Sequence, residues 1–284
     1  MEISIIIPLY NKENCIVDTI NSVLVQTCPS FELIVINDGS TDTSLEKVKT
    51  VSDDRLRIIN KSNEGVSATR NRGVFEAKND WLLFLDADDS LAPNCIELMQ
   101  GQIVKYPLAS VHTANFETDY FDGKKKVECC IKSGIVKDPF KYWLYKKWNT
   151  RLGAFIIRKD VFIRAGGFHD LITIGEDAYL IWQLLKTETI SYIDDVVMVY
   201  NQNNSDLSRK KYPFYRHIEY YMTLPKEYPY LRMIEAELLF KHFFRGLVRK
   251  DVMFSINLIR KFWKETFVIV YYSIMCQISK KENR

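Results

Sequence analysis

Several common protein classes are excluded by what this sequence lacks. Glycine contributes only 11 of 284 residues, and no G-x-G-x-x-G follows the first apolar run, so the dinucleotide-binding motif of oxidoreductases is absent. The six cysteines include no C-x-x-C pair and the four histidines are scattered, so their spacing indicates neither a zinc site nor a disulfide framework. We therefore expect free, mostly buried thiols in a reducing compartment.

Long apolar runs are absent as well. Met1-Glu2 leads directly into Ile3–Pro8, a run that is too short and too acidic at its start for a signal peptide. The longest uncharged stretch, Thr266–Ser279, has 14 residues, whereas a bilayer-spanning helix needs about 20. We therefore expect a cytoplasmic protein.

Charge is nearly balanced overall but unevenly distributed along the chain. The 39 Lys and Arg exceed the 36 Asp and Glu by three, yet residues 241–284 hold ten basic residues against three acidic ones. This C-terminal segment therefore carries +7 and the remainder −4. Such a separation favours contact with an anionic surface, for example the inner face of the cell membrane. The alternative is that its apolar faces pack on the rest of the chain or on a second subunit.

The first hundred residues alternate between strand and helix patterns. Short apolar runs predict strands, and segments with apolar residues at helical spacing separate them. The predicted strands are 3–7, 31–36, 56–59 and 81–85. This alternation predicts βαβ units and a mainly parallel sheet, with ligands bound at the carboxyl ends of the strands. The pattern is mixed over 106–200 and becomes helical beyond Tyr212.

Three carboxylates lie at the end of the fourth predicted strand, in Asp86-Ala87-Asp88-Asp89. Because like charges repel, such a group needs compensation, which Mg²⁺ or Mn²⁺ shared with diphosphate oxygens would supply. The alternative is an acidic loop that caps the following helix, with Asp89 or Ser90 as the cap.

Three further segments carry residues that suit ligand chemistry, each with a simpler structural alternative. Asp38-Gly39 either holds a carboxylate over a ligand or forms only a tight turn. Arg70 either binds a diphosphate through its forked donors or is a solvated helix charge. Glu176-Asp177 either contains a general base or favours only the helix dipole. Thr43-x-x-Glu46 predicts a helix-capping box.

The order and spacing of these segments resemble the family 2 glycosyltransferases. The similarity is dense over residues 3–95 and patchier to about 208. The segments that carry it are Ile5-Ile6-Ile7-Pro8-Leu9-Tyr10-Asn11-Lys12-Glu13, Leu24-Val25-Gln26-Thr27, Asn37-Asp38-Gly39-Ser40-Thr41-Asp42, Arg70-Asn71-Arg72-Gly73, Asp86-Ala87-Asp88-Asp89 and Gly175-Glu176-Asp177.

This resemblance implies an α/β fold of the GT-A type, a nucleotide-binding sandwich with a mainly parallel central sheet. It also implies an inverting transfer of sugar from a nucleoside-diphosphate donor, most often UDP-linked, to an acceptor hydroxyl. We expect a GT-A catalytic domain over 1–210, with a nucleotide-sugar half to about 105 and an acceptor half beyond it. A helical, basic extension would follow over 211–284.

The resemblance also assigns roles to individual residues. Asp177 would be the catalytic base, and Asp88 would hold Mn²⁺ or Mg²⁺, with Asp89 an alternative one position away. The residues matched to nucleotide-sugar binding are Pro8, Tyr10 and Glu13 around the base, Asp38 at the base or ribose, Arg70 at the nucleotide or its phosphates, and Asp86 at the ribose with Ala87 beside it.

Two departures from the family pattern bear on the reaction. No Q-x-x-R-W motif follows Asp177, so we expect one sugar per encounter rather than processive synthesis. Asn201 stands where many relatives carry arginine, in a segment that reaches Ser208. A glycan or lipid-linked glycan would be the acceptor, and no nucleic-acid partner is expected. The alternatives are a non-catalytic nucleotide-sugar-binding protein and a sugar nucleotidyltransferase, although the glycine-rich loop of the latter is absent.

Overall fold

The chain divides into two compact units. A computed structural model describes residues 2–172, 175–202, 222–248 and 251–282. Unit 1 comprises Met1–Lys137 and Thr150–Asp206, and unit 2 comprises Asp138–Asn149 and Leu207–Arg284. The predicted boundary between residues 210 and 211 lies outside the described residues, so it stays a prediction.

Unit 1 alternates strands and helices along the chain. Its strands are β1 Ile3–Leu9, β2 Phe31–Asp38, β3 Leu56–Lys61, β4 Trp81–Phe84, β5 Ser90–Leu91, β6 Val111–Asp119, β7 Lys125–Val127, β8 Gly134–Ile135, β9 Phe155–Arg158 and β10 Ile190–Asn201. Its helices are α1 Ile16–Leu24, α2 Ser44–Lys49, α3 Val66–Glu76, α4 Cys95–Lys105, α6 Lys159–Arg164 and α7 Glu176–Thr187.

Within the described residues, these ten strands form one sheet. The main order is β3-β2-β1-β4-β9-β6-β10-β5, with β7 beside β6 and β8 beside β10. Strands β3, β2, β1 and β4 run parallel, as do β6 and β10, whereas β9 runs antiparallel between β4 and β6. The longest pairings are parallel ones, which confirms the predicted α/β fold with a mainly parallel sheet.

The centre of the sheet is apolar because its strands are covered on both faces. Strands β1 and β2 are buried along almost their whole length. Helix α3 packs closely over β1, since a Cβ atom built on Gly73 would lie 2.3 Å from Ile6 Cγ2. A helix that follows a strand in a βαβ unit begins at the carboxyl edge of the sheet. The first turns of α3 are therefore held at that edge.

Unit 2 is helical in its described part. It contains α5 Pro139–Leu144, α8 Pro229–Val248, α9 Val252–Phe262, a 3₁₀ turn Trp263–Glu265 and α10 Thr266–Glu282. Asp138 caps α5 by accepting a hydrogen bond from the Lys141 N–H at 3.1 Å. The rings of Phe140 and Tyr228 lie 5.8 Å apart, which joins α5 to the segment before α8. None of the helices in the described ranges is both long and apolar enough to cross a bilayer.

Candidate active site

The candidate site lies at the carboxyl edge of the sheet, where β1, β2 and β4 end side by side. Because these neighbouring strands are parallel, their following loops meet at one edge. Leu9, Asp38 and Phe84 are the last residues of the three strands. The loops after them carry most of the residues assigned by resemblance to the donor.

Asp38 lies at the end of β2, where its carboxylate is buried. One oxygen accepts hydrogen bonds from the Lys61 ammonium and, at 2.9 Å, from the Glu64 N–H, and the other accepts from the Gly65 N–H at 3.0 Å. Gly39 then turns the chain with φ +68°, where a Cβ would approach Asn63 N to 2.9 Å. Asp38 therefore orders the loop between β3 and α3.

The loop after β1 presents Pro8, Tyr10 and Glu13 differently. Pro8 belongs to β1 and pairs with Ile36, and the side chain of Tyr10 is exposed. Glu13 Oε2 accepts hydrogen bonds from the Thr43 N–H and hydroxyl at 3.1 and 2.5 Å. The hydroxyl bond, followed by the backbone bond, holds the pKa of Glu13 below its ordinary value. Glu13 therefore contacts the start of α2.

The predicted capping box at the start of α2 is wrong. Thr43 is the N-cap residue, but its side chain makes no capping hydrogen bond because the hydroxyl is directed at Glu13. Asp42 Oδ1 instead accepts from the Ser44 N–H at 2.9 Å. The sequence signal identified where the helix starts, but not that Asp42 is the residue whose side chain accepts a hydrogen bond from the backbone there.

The acidic loop alternates between half-buried and buried residues. Asp86 and Asp88 are half-buried, whereas Ala87 and Asp89 are buried. The Ala87 carbonyl accepts from the Thr19 hydroxyl at 3.0 Å, and Asp89 Oδ1 accepts from the Asn201 N–H at 2.9 Å. The partly accessible carboxylates of this loop are thus those of Asp86 and Asp88.

Two carboxylates of this loop, those of Asp88 and Asp89, have pKa values above their ordinary range. Burial raises the pKa of Asp88, and the charge of Asp86 adds to that effect. The pKa of Asp89 lies well above its ordinary value for the same reasons, with Asp88 contributing further. Lys12 opposes the shift at Asp88, because its Nζ lies 2.8 Å from Asp88 Oδ2. Additional positive charge would therefore be favourable here.

The alternative in which this loop caps the following helix is wrong. Ser90 and Leu91 form β5, which pairs with Met198 and Val199 of β10. Helix α4 begins later, at Cys95, and its N-cap residue Asn94 makes no side-chain capping bond. The Asp89 carboxylate instead accepts a hydrogen bond from the backbone of β10.

The acidic loop suits a divalent cation that is held by one carboxylate together with substrate phosphates. In the described part of the chain, no three His, Cys, Asp or Glu side chains form a group that could hold a metal by themselves. Mg²⁺ is commonly bound through one or two carboxylates while substrate phosphates and water complete its shell. Asp88, with one oxygen paired to Lys12 and a raised pKa, suits that arrangement.

Arg70 is buried and bridges two carboxylates. Its Nη2 donates to Asp86 Oδ1 at 2.6 Å and its Nη1 to Glu176 Oε1 at 2.7 Å. Burial alone would lower the pKa of Arg70, but these two carboxylates outweigh burial and raise it. The guanidinium carbon lies 5.1 Å from the Phe168 ring centroid, which adds a cation–π contact. Both terminal nitrogens of the predicted phosphate-binding arginine thus contact protein carboxylates.

Two neighbours of Arg70 on α3 hold the segment that leads to α7. Asn71 pairs with the backbone of Phe168 in both directions, donating to its carbonyl at 2.8 Å and accepting from its N–H at 3.0 Å. The Ser67 hydroxyl lies 3.4 Å from the Ile172 carbonyl oxygen. Ser67, Arg70 and Asn71 share one helix face because they are three and four residues apart. This face therefore contacts the segment that ends at Ile172 and the first turn of α7 at Glu176.

Asp177 lies in the first turn of α7, directly after Glu176. Its Oδ1 accepts from the Ala178 N–H at 2.7 Å, and its side chain is half-buried. Gly175 precedes the helix with φ +83°, which reverses the chain before Glu176. Burial raises the pKa of Glu176; Arg70 opposes this shift and the charge of Asp177 adds to it. The predicted base therefore lies one residue from a carboxylate that is tied to the acidic loop.

The sequence interpretation did not identify the lysines that compensate the acids. Lys12 contacts Asp88 and Lys61 contacts Asp38, across 76 and 23 residues of sequence. Lys12 lies within the segment that carries the family resemblance, which could have directed attention to it. Nothing in the sequence pattern around Lys61 indicates its partner.

Comparison with known families decides the identity of the chain. The sequence model of the family described as Glycosyl transferase family 2 matches residues 4–168, which is more than half of the chain. The chain belongs to this family. Membership in glycosyl transferase family 2 confirms the predicted family and sets aside the sugar nucleotidyltransferase alternative.

Individual relatives are bacterial glycosyltransferases. Glycosyltransferase GlyA of Streptococcus pneumoniae serotype 4 is 30% identical over 224 residues, covering 73% of this chain and 32% of GlyA. The uncharacterized glycosyltransferase EpsJ of Bacillus subtilis is 25% identical over 219 residues, covering 74% of this chain and 64% of EpsJ. Chondroitin synthase of Pasteurella multocida is 39% identical over 116 residues, covering 40% and 12%. The chain thus spans less than two thirds of each of these three relatives.

Solved structures give the same fold. The crystal structure of S. aureus TarS 1–349 has a TM-score of 0.64 and 20% identity, and the match covers 83% of this chain and 65% of that one. TarS 1–349 in complex with UDP-GlcNAc also has a TM-score of 0.64, with 20% identity and coverage of 83% and 66%. At this identity the likeness establishes the fold, which is the predicted GT-A type.

Proposed function

We propose that this family 2 glycosyltransferase moves a single sugar from a nucleoside-diphosphate sugar, of the UDP class, to a hydroxyl of a glycan or lipid-linked glycan, with inversion. The observation that carries the proposal is the Arg70 bridge, which ties Asp86 in the acidic loop to the carboxylate beside Asp177. A candidate base is thereby held beside a candidate donor site. The UDP-GlcNAc complex of TarS supports the choice of a UDP-sugar.

In the proposed reaction, Asp177 takes the proton of the acceptor hydroxyl as that oxygen attacks the anomeric carbon. The bond between this carbon and the diphosphate oxygen breaks, and its electron pair leaves with the nucleotide. Attack from the opposite face inverts the anomeric centre, and no covalent enzyme intermediate forms. The proton on Asp177 is then released to solvent.

Charge on the leaving diphosphate would be stabilised at the acidic loop. Mn²⁺ or Mg²⁺ held by Asp88 would act as a Lewis acid toward the diphosphate oxygens. Lys12, whose ammonium already contacts Asp88, adds a second positive charge beside the same loop. Of the two carboxylates assigned to base and ribose, Asp86 is partly accessible, whereas Asp38 is buried and bonded to Lys61, Glu64 and Gly65.

Thermal stabilisation by nucleotides tests the donor assignment. A ligand that binds only the folded state raises the melting temperature once its concentration exceeds its dissociation constant. UDP with Mn²⁺ should raise the melting temperature more than GDP, CDP or dTDP, and removing Mn²⁺ should reduce the shift. A larger shift with another nucleotide would change the donor class. If none of the four stabilised the folded protein, the donor site would be disproved.

We further propose that unit 2 contacts an anionic lipid surface through an apolar stripe on α10. The stripe consists of exposed residues at helical spacing, namely Phe267, Val270, Tyr271, Ile274 and Ile278. Phe267 is 83% exposed and Ile274 54%, whereas Ser273 on another face is buried. An apolar stripe of this length is typical of a helix that lies on a membrane or partner.

Charge favours a lipid surface as the occupant of this stripe. Exposed basic residues Arg260, Lys261 and Lys264 lie just before it, and the segment 241–284 carries a net charge of +7. Trp263, which is 65% exposed, lies between Lys261 and Lys264 in the sequence, and aromatic residues of this kind are common at membrane interfaces. A peripheral site of this kind would bring the enzyme to a lipid-linked acceptor at the inner face of the cell membrane.

Vesicle flotation with point variants tests this surface. Phe267→Asp and Ile274→Asp should lower binding to vesicles rich in anionic lipid at least tenfold, with little binding of any form to zwitterionic vesicles. Leu108→Asp, an equally charged change at a residue 92% exposed in unit 1, is the matched control. Unchanged flotation of the stripe variants would overturn the proposal. So would a wild-type dimer that does not float and becomes monomeric with Phe267→Asp.

A further inference from the structure

The Arg70 bridge has a function that the reaction scheme leaves unassigned. Arg70 is 3% exposed, and its two terminal nitrogens are bonded to Asp86 and Glu176. Its Nε is buried and has no hydrogen-bond partner. An arginine buried in this way is costly unless both carboxylates stay in place. The bridge therefore favours one arrangement of the acidic loop and the first turn of α7.

The contacts around the start of α7 show what the Arg70 bridge holds in place. Residues 173 and 174 lie outside the described part of the chain, and α3 contacts the chain on either side of them. Ser67 and Asn71 hold the segment that ends at Ile172, and Arg70 holds Glu176. The N-cap residue Gly175 provides no side-chain bond to the start of α7. In the described residues, the Arg70–Glu176 contact is the ion pair that anchors this helix start.

We propose that Arg70 and Glu176 are positioning residues that align Asp177 with the donor loop. Arg70 fixes the carboxylate beside the base and the carboxylate of Asp86 to a single guanidinium group. The planar fork sets both distances at once, which a lysine cannot do. The inference rests on the proposed transferase function, since it gives Asp177 its role as the base.

The alternative is a structural role without a specific effect on turnover. A structural contact would affect folding, donor affinity and turnover together. A positioning contact should lower kcat while donor affinity remains, because small displacements of a reacting group cost much of the rate. The comparison between nucleotide affinity and turnover therefore distinguishes the two.

Glu176→Gln is the informative variant because it keeps the size of the side chain and removes its charge. We expect UDP affinity within twofold of wild type and a kcat lower by about tenfold or more. Arg70→Lys, which keeps the charge but not the fork, should also lower kcat. Glu76→Gln is the matched control: Glu76 lies on the same helix α3 and pairs with Arg57 of β3 and Arg72 of α3, so its loss should leave both quantities unchanged.

Hydrogen exchange provides a readout that does not depend on turnover. Amides of residues 179–182, which begin at the first N–H bonded within α7, should exchange about tenfold faster in Glu176→Gln than in wild type or Glu76→Gln, because the helix start loses its ion pair. Unchanged exchange there, or an unchanged kcat, would overturn the positioning role. If wild type binds none of the nucleoside diphosphates, the proposed function fails, whereas the exchange experiment still decides whether the bridge anchors α7.

Discussion

The three aspartates assigned by resemblance to the donor or its metal each have a basic partner from another element of unit 1. Asp38 is paired with Lys61 of β3, and Asp88 with Lys12 of the loop after β1. Asp86 is paired with Arg70 of α3. These partners explain how acidic side chains can gather at the ends of apolar strands, since an opposite charge offsets both repulsion and burial.

The role of Asp177 is tested by the change Asp177→Asn. Asparagine keeps the size of the side chain but cannot accept the acceptor's proton, so kcat should fall by about 10²–10⁴-fold. UDP affinity, measured by calorimetry, should change less than twofold. Retained turnover would show that Asp177 is not the base, and unchanged activity in cells would favour a non-catalytic nucleotide-sugar-binding protein.

Asp88 and Asp89 are distinguished by a pair of matching substitutions. Asp88→Asn should lower Mn²⁺-dependent UDP affinity at least tenfold, because it removes the carboxylate proposed to hold the cation. Asp89→Asn should leave that affinity unchanged, since Asp89 is buried and an asparagine oxygen can still accept the Asn201 N–H. Calorimetry with and without Mn²⁺ measures both variants. The opposite pattern would assign the cation to Asp89.

The sequence predicted the positions of these acids better than their partners. Asp38 and Asp86 could be assigned to the ends of strands because the apolar runs before them end abruptly. The fork of Arg70 could not be assigned, since its partners lie 16 and 106 residues away. Contacts between distant elements depend on the tertiary fold, which a local pattern does not contain.

Among the elements, α3 determines the most about the site. Its close packing on β1 fixes the helix, and Ser67, Arg70 and Asn71 on one face fix the chain before and within α7. The sequence pattern predicts a helix over 65–77, and the structure has Val66–Glu76. Leu180, Ile181, Leu184 and Leu185 on one face predict a helix over 176–186, and the structure has Glu176–Thr187. Local pattern was sufficient for both helices, but it could not show that one holds the other.

Gly73→Ala tests the close packing of α3 on β1. The new Cβ would lie 2.3 Å from Ile6 Cγ2 in a fully buried region, so the free energy of unfolding should fall by about 1–3 kcal/mol. Gly101→Ala is the matched control, because nothing lies within 4 Å of a Cβ there. That substitution in α4 should stabilise the protein by about 0.5–1 kcal/mol. Urea unfolding measures both; equal effects would contradict the packing argument.

At the scale of the whole molecule, charge separation should make membrane binding depend on salt. Each basic residue near an anionic leaflet contributes about 1 kcal/mol, and salt screens this contribution. Replacing Arg260, Lys261 and Lys264 with glutamine should weaken binding to anionic vesicles at 0.1 M salt and reduce its salt dependence. Flotation at increasing salt measures the effect. An unchanged salt dependence would show that these residues lie away from the lipid.

The division into two units has a consequence for synthesis of the chain. Residues 138–149 belong to unit 2. Tyr228, which packs against Phe140 of this segment, comes 88 residues after Phe140 in the sequence. At roughly 5–20 residues per second, a ribosome needs roughly 4–18 s to make that interval. The last strand of the sheet in the described residues, β10, is complete before Tyr228 is made. Unit 2 therefore completes its folding last, and a chain that ends near residue 210 lacks Tyr228, which packs against Phe140, and α8, which contacts α5.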